Sequence, residues 1–154
     1  MNAPARSKAR SAARLAAVQA LYQQHMEGTA LARLLDEFHQ HRLGRTIDDD
    51  AFDDAEYADA EVPFFDDVVR GVAARKDEID ALLTARLAAG WSLTRLDKAM
   101  LQVLRAGTYE LIARQDVPVA VAISEYVDVA KAFFDDGQAK FVNGILDAVA
   151  KDAR

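Results

Sequence analysis

The chain has 154 residues, no cysteine and a net charge of −6, from 19 Lys and Arg against 25 Asp and Glu. That length supports one domain, or two small subdomains, with a core that needs no disulfide or metal staple. The missing cysteines exclude a disulfide framework, a thiolate zinc site and thiol catalysis, and they agree with a reducing cytoplasm.

Charge is unevenly spread. The first acid is Glu27, so residues 1–26 carry +4 through Arg6, Lys8, Arg10 and Arg14, and the remainder, 15 bases against 25 acids, carries −10. Such asymmetry points to a local electropositive site on an acidic body. An acid-poor, Arg-rich and Ser-containing start also resembles a mitochondrial presequence in composition. No apolar run approaches the roughly 20 residues that span a bilayer, so no membrane association is expected.

Taken in chain order, the pattern is helical throughout. A first helix is expected over about 7–26, with Leu15, Val18, Leu21, Tyr22 and Met26 at helical spacing and Gly28 as its stop. A second follows over about 29–43, capped by Thr29, with Leu31, Leu34, Leu35 and Phe38 as its stripe. Residues 45–62 change character, since eight acids and no base lie between Asp48 and Glu61; they read as an acidic, self-repelling loop. A calcium loop does not fit there, because Asp53 occupies the place where the turn needs glycine.

Pro63 opens a helical stretch to about residue 89, with a break near Arg75–Asp77 and Gly90 as terminator. A fifth helix starts at Ser92 or Thr94 and runs to Arg114, carrying Met100, Val103, Leu104, Gly107 and Leu111 on one side. The sixth covers about 119–134 and the last about 138–151. These imply an all-α chain of about seven helices in two packed antiparallel helical subdomains. The expected division puts about 7–62 and part of 63–89 in the first, and about 90–151 in the second.

Chemistry-bearing patterns are missing. The seven glycines form neither a dinucleotide fingerprint nor a Walker loop, and no nucleophile elbow surrounds any serine. His39 and His41 stand two apart, which puts their rings on opposite sides of a helix, so surface or partly packed histidines are the better reading than a metal site. A binding protein is expected, with no cofactor.

On a helical wheel, Arg10, Arg14, Val18 and Leu21 share a face, so an apolar stripe turns basic at its N-terminal end. Four charges are not buried unpaired; the first two turns should therefore overhang the body, or stay unfolded until an anion arrives. A frayed, solubilising tail accounts for the same charges. Arginine, however, forks onto phosphates and stacks on bases, which makes RNA a natural ligand. Engaging three to four phosphates would lower affinity about 20- to 50-fold between 50 and 200 mM salt, at a slope of roughly −0.7 per contact. Position alone favours Tyr22 as core over Tyr22 as a base-stacking ring, and the same holds for Phe133 and Phe141.

The ordered segments RSAARLAAVQALYQ, LRAGTYEL, DVPVAVAISEYVDVAKAF and KFVNGILD resemble the NusB family of bacterial transcription antitermination factors, over most of the chain. The resemblance implies an all-α, non-enzymatic domain spanning 1–154 in the cytoplasm. It implies binding of the single-stranded boxA element of nascent ribosomal RNA, with NusE, a small-subunit ribosomal protein, as partner and the elongating RNA polymerase as the complex acted upon. By position, the family's arginine motif falls on Arg6, Lys8, Arg10 and Arg14 with Tyr22 beside it, and Phe133, Lys140 and Phe141 correspond to residues near RNA. The partner face falls on Asp97, Lys98, Met100 and Arg105.

Three departures stand out. Ser11 and Ala12 interrupt what is often a run of arginines, Met100 and Leu101 replace an acid and a base, and the acidic stretch 48–61 looks inserted. Homodimerisation stays open, because a face that pairs two copies reads like one that packs a core; a dimer masking the RNA surface occurs among relatives. Two other readings compete: a relative of the NusB-like domain of some RNA methyltransferases, and a helical protein-interaction adapter with an incidental basic tail.

Overall fold

A computed structural model describes residues 3–41, 43 and 61–154. The acidic stretch expected as a loop at 45–62 lies outside the described residues, apart from Glu61 and Val62. Seven α-helices are present among the described residues: α1 Ala3–Glu27, α2 Leu31–His41, α3 Val62–Ala74, α4 Lys76–Thr84, α5 Lys98–Ala113, α6 Val119–Phe133 and α7 Asp136–Ala153, with a 3-10 turn at Leu93–Arg95. None of these is long and apolar enough to cross a membrane. The chain divides into two compact units, Met1–Arg70 and Gly71–Arg154, with the boundary inside α3.

In the first unit, α1 buries mostly alanine. Ala9, Ala13, Ala16, Ala17 and Ala20 line its inner face with Val18 and Leu21, whereas Met26 is exposed and Leu15 half-buried. Of the expected stripe, Val18 and Leu21 are thus in the core, while Leu15 is only half-buried and Tyr22 and Met26 are exposed. Small side chains carry little hydropathy but let helices approach closely, and that is the face this sequence buries. Gly28 ends α1 at φ +71°, a conformation that favours glycine. Phe38 of α2 stacks on Phe65 of α3 at 5.5 Å between centroids, and His39 bonds Asp66 at 2.6 Å. His41 is exposed, as two-residue spacing on a helix requires.

The second unit is organised around α5, whose residues from Met100 to Leu111 are all buried. Gly107 is why α6 and α7 can close on it: a Cβ there would stand 2.8 Å from Leu146 and 3.4 Å from Tyr126. Gly71 does the same for α3, where a Cβ would meet the Tyr109 ring at 2.1 Å. Two charged or acidic groups in this core are paired, whereas Gln102 Nε2 and Thr108 Oγ1 are buried without a hydrogen-bond partner among the described residues. The Tyr126 hydroxyl donates to Glu110 at 2.6 Å, and Arg105 forks onto Asp80 with two bonds of 2.9 Å. At and just beyond the C-terminal end of α5, Arg154 donates to the carbonyls of Glu110, Leu111, Arg114 and Val117, of which Glu110 also accepts from the Arg114 N–H at 2.9 Å.

Helix limits differ most from expectation between α4 and α5. The break at Arg75 is present, but α4 stops at Thr84 rather than near residue 89, and α5 starts at Lys98 rather than at Ser92 or Thr94. Asp97 is the true cap, accepting from the N–H groups of Ala99 at 2.8 Å and Met100 at 3.2 Å. The earlier hydroxyls bond one another instead, Ser92 to Thr94 at 3.0 Å.

Candidate nucleic-acid interface

The basic start is built into the first unit rather than overhanging it. α1 is helical from Ala3, and Arg14 is only 3% exposed. Its guanidinium lies 4.8 Å from the centroid of the Phe64 ring, and that of Arg10 lies 4.7 Å from the same centroid. Arg10 Nε also donates to Glu61 Oε2 at 3.1 Å. The expectation of an overhanging or unfolded end is thus corrected. The Phe64 face and the Glu61 carboxylate are among the partners that let these two cations pack, since a desolvated guanidinium over a ring gains on the order of 2 kcal/mol.

Lys8 is exposed two residues before the half-buried Arg10, which places it on another side of the helix. Arg6 belongs to the same helix, with its side chain outside the described residues. Tyr22, expected in the core from position alone, is 40% exposed. It shares the outer face with Gln19 and Met26, also exposed, because the alanine face is the one turned inward.

A second cluster lies in the second unit, where α6 and α7 run antiparallel. Asp135 caps α7 by accepting from the Gln138 N–H at 3.0 Å, so this helix begins two residues before the expected start and presents Lys140 and Phe141 on its first turns. Phe133 and Phe141 are 41% and 38% exposed, against the core reading that position alone favoured. Phe133 leans on Phe134 at 6.1 Å. Between the two helices runs an open groove of about 870 Å³, with Val119, Ile123, Val127 and Ala139 among its apolar walls and Lys131 and Lys140 among its polar ones.

Residues expected at a partner face divide into two kinds. Asp97 is exposed and Lys98 half-buried, the latter bonded through Nζ to Thr94 O at 3.2 Å. Met100 and Arg105 are buried, 4% and 7% exposed, and the Arg105 fork is occupied by Asp80. Sequence reasoning missed Phe64 and Glu61 as part of the arginine cluster. Nothing local in the sequence links Phe64 to arginines some fifty positions earlier.

Comparison with known proteins agrees with this architecture. The NusB family model matches residues 11–151. The transcription antitermination protein NusB of Sphingopyxis alaskensis is 66% identical over 97% of this chain and 97% of its own length. That of Novosphingobium aromaticivorans is 69% identical over 96% of each. Among solved structures, Thermotoga maritima NusB superposes with a TM-score of 0.73 at 33% identity, covering 100% of this chain and 96% of its own. A structure of antitermination factors NusB and NusE in complex with dsRNA shares the fold, with a TM-score of 0.70 at 24% identity over 98% and 99% of the two chains. With the seven helices of its described residues, its arginine-bearing first helix and this agreement along nearly the whole sequence, the chain belongs to the NusB family of non-enzymatic transcription antitermination proteins.

Proposed function

We propose that this antitermination protein acts by binding single-stranded boxA RNA of nascent ribosomal transcripts together with NusE, in the cytoplasm, and that the pair holds the RNA against elongating RNA polymerase. The observation that carries the reading is the α1 cluster, where a half-buried Arg10 and a buried Arg14 cover one buried ring and Lys8 adds an exposed cation on another side of the helix. Lys8, Arg10 and Arg6 meet phosphates, and Arg14 lends its charge from beneath while fixing the cluster's shape. Phe133 and Phe141 offer exposed rings on which unpaired bases stack, with Lys140 beside them for the backbone. Tyr22 provides a further exposed ring on α1. Asp97 and Lys98 are the surface members of the partner face; Met100 and Arg105 support it from within.

The solved assembly of NusB with NusE and RNA is consistent with this partnership, its likeness to the present chain being one of fold. The basic helix is not an incidental tail, because Ala9 and Ala13 are buried and Ala9 O accepts from the Glu61 N–H at 3.1 Å. For that reason point substitution, rather than removal of residues 1–14, tests the reading. A gel shift with labelled boxA RNA should show preference over a scrambled sequence at physiological salt, tightened by NusE and lost in Lys8→Ala/Arg10→Ala. Equal binding of both RNAs, with NusE present, would overturn it.

A further inference from the structure

The arginine cluster contains an acid of its own. Glu61 stands at the start of α3, with its N–H on Ala9 O at 3.1 Å and its carbonyl accepting from Phe65 N at 3.0 Å, so the residue is anchored on both sides of its backbone. From that fixed point its carboxylate meets Arg10 Nε at 3.1 Å while the Phe64 ring lies 4.7 Å from the same guanidinium. The two side chains are 25% and 26% exposed, within reach of solvent and of a ligand.

A carboxylate and a phosphodiester compete for the same guanidinium donors. Resting on the reading that α1 binds RNA, the geometry points to Glu61 as an internal stand-in for an RNA phosphate. It holds Arg10 extended over Phe64 in the RNA-free protein, and RNA must displace it to engage Arg10. Binding is then an exchange of one anion for another, and Glu61 lowers affinity while keeping the cluster ordered. A partly exposed ion pair of this kind corresponds to about a two- to fivefold effect on binding.

The test is a fluorescence-anisotropy titration of labelled boxA RNA with the NusE-bound protein, from 50 to 200 mM salt, for wild type, Glu61→Gln, Arg10→Ala and the double variant. Glu61→Gln should bind about two- to fivefold tighter at 50 mM salt. The gain should shrink as salt screens the pair, steepening the salt slope by up to about 0.7, and it should vanish in the Arg10→Ala background. Unchanged or weaker binding by folded Glu61→Gln overturns the inference, as does a gain that survives without Arg10. Arg10→Ala separates the two levels. If it weakens binding while Glu61→Gln fails to strengthen it, only the role of Glu61 falls; if it binds like wild type, the RNA reading of α1 falls as well.

Discussion

In the α1 cluster a buried phenylalanine lies beneath two arginines, whereas on α6 and α7 the phenylalanines themselves face solvent beside lysines. Both patches combine aromatic and basic residues, yet the division of labour is reversed. In the first, the ring is 1% exposed and shapes the cations; in the second, the rings are about two-fifths exposed and are themselves the surface on offer. The difference teaches that composition names a nucleic-acid patch but burial decides which member of it touches the ligand.

The sharpest way to break this comparison is to remove one ring from each side. Phe64→Ala should cost about 3–5 kcal/mol of stability, as loss of a buried ring does, measurable by denaturant unfolding, and RNA binding should fall with it. Phe141→Ala should leave stability within about 0.5 kcal/mol yet cost about 1–3 kcal/mol of RNA affinity, the worth of one base stacked on an aromatic ring. If Phe141→Ala unfolds the protein, or Phe64→Ala leaves it stable, the assignment of roles is wrong.

Core polarity gives an intermediate effect. Tyr126→Phe removes the 2.6 Å bond to buried Glu110 and should cost about 1–3 kcal/mol without moving RNA affinity in the folded protein. Urea titration at fixed pH reads the first quantity and anisotropy the second.

The smallest effect concerns pH. Asp152 is held below the usual carboxylate range by its hydrogen bonds from Arg86, a solvent-exposed pair that links the end of the α4 region to α7. A depressed carboxylate stabilises the fold above its unfolded value near pH 4, and that contribution is lost as pH falls through the lower folded value. Asp152→Asn should therefore lose a slight stabilisation at neutral pH and flatten the acid limb below about pH 4, followed by thermal melts across that range.

Much of this was legible in the chain itself. The seven helices of the described residues, the break at Arg75 and the glycine stop at residue 28 follow from local signals: caps, glycines and 3.6-residue periodicity. What was not legible depended on distant partners. An arginine on a helical wheel looks unburied until Phe64 arrives from another helix to cover it, and five alanines look neutral until packing makes theirs the inner face. The start of α5 was obscured because Ser92, Thr94 and Asp97 are all competent caps, and only the 3-10 turn at Leu93–Arg95 leaves Asp97 in place to serve. Phe133 and Phe141 were ambiguous for the same reason: an aromatic at helical spacing reads as core unless its surroundings are known.

The central claim is that the α1 cations act through phosphate charge and the α7 ring through stacking, and the salt dependence of boxA affinity separates these most directly. Measured with NusE-bound protein from 50 to 200 mM salt, Lys8→Ala/Arg10→Ala should flatten the slope of log affinity against log salt by about 0.7 to 1.4, one full phosphate contact for Lys8 and, for Arg10, the part that its exchange with Glu61 leaves. Phe141→Ala should lower affinity equally at every salt and leave the slope unchanged. Slopes identical in wild type and Lys8→Ala/Arg10→Ala, or a slope altered by Phe141→Ala alone, would contradict the account.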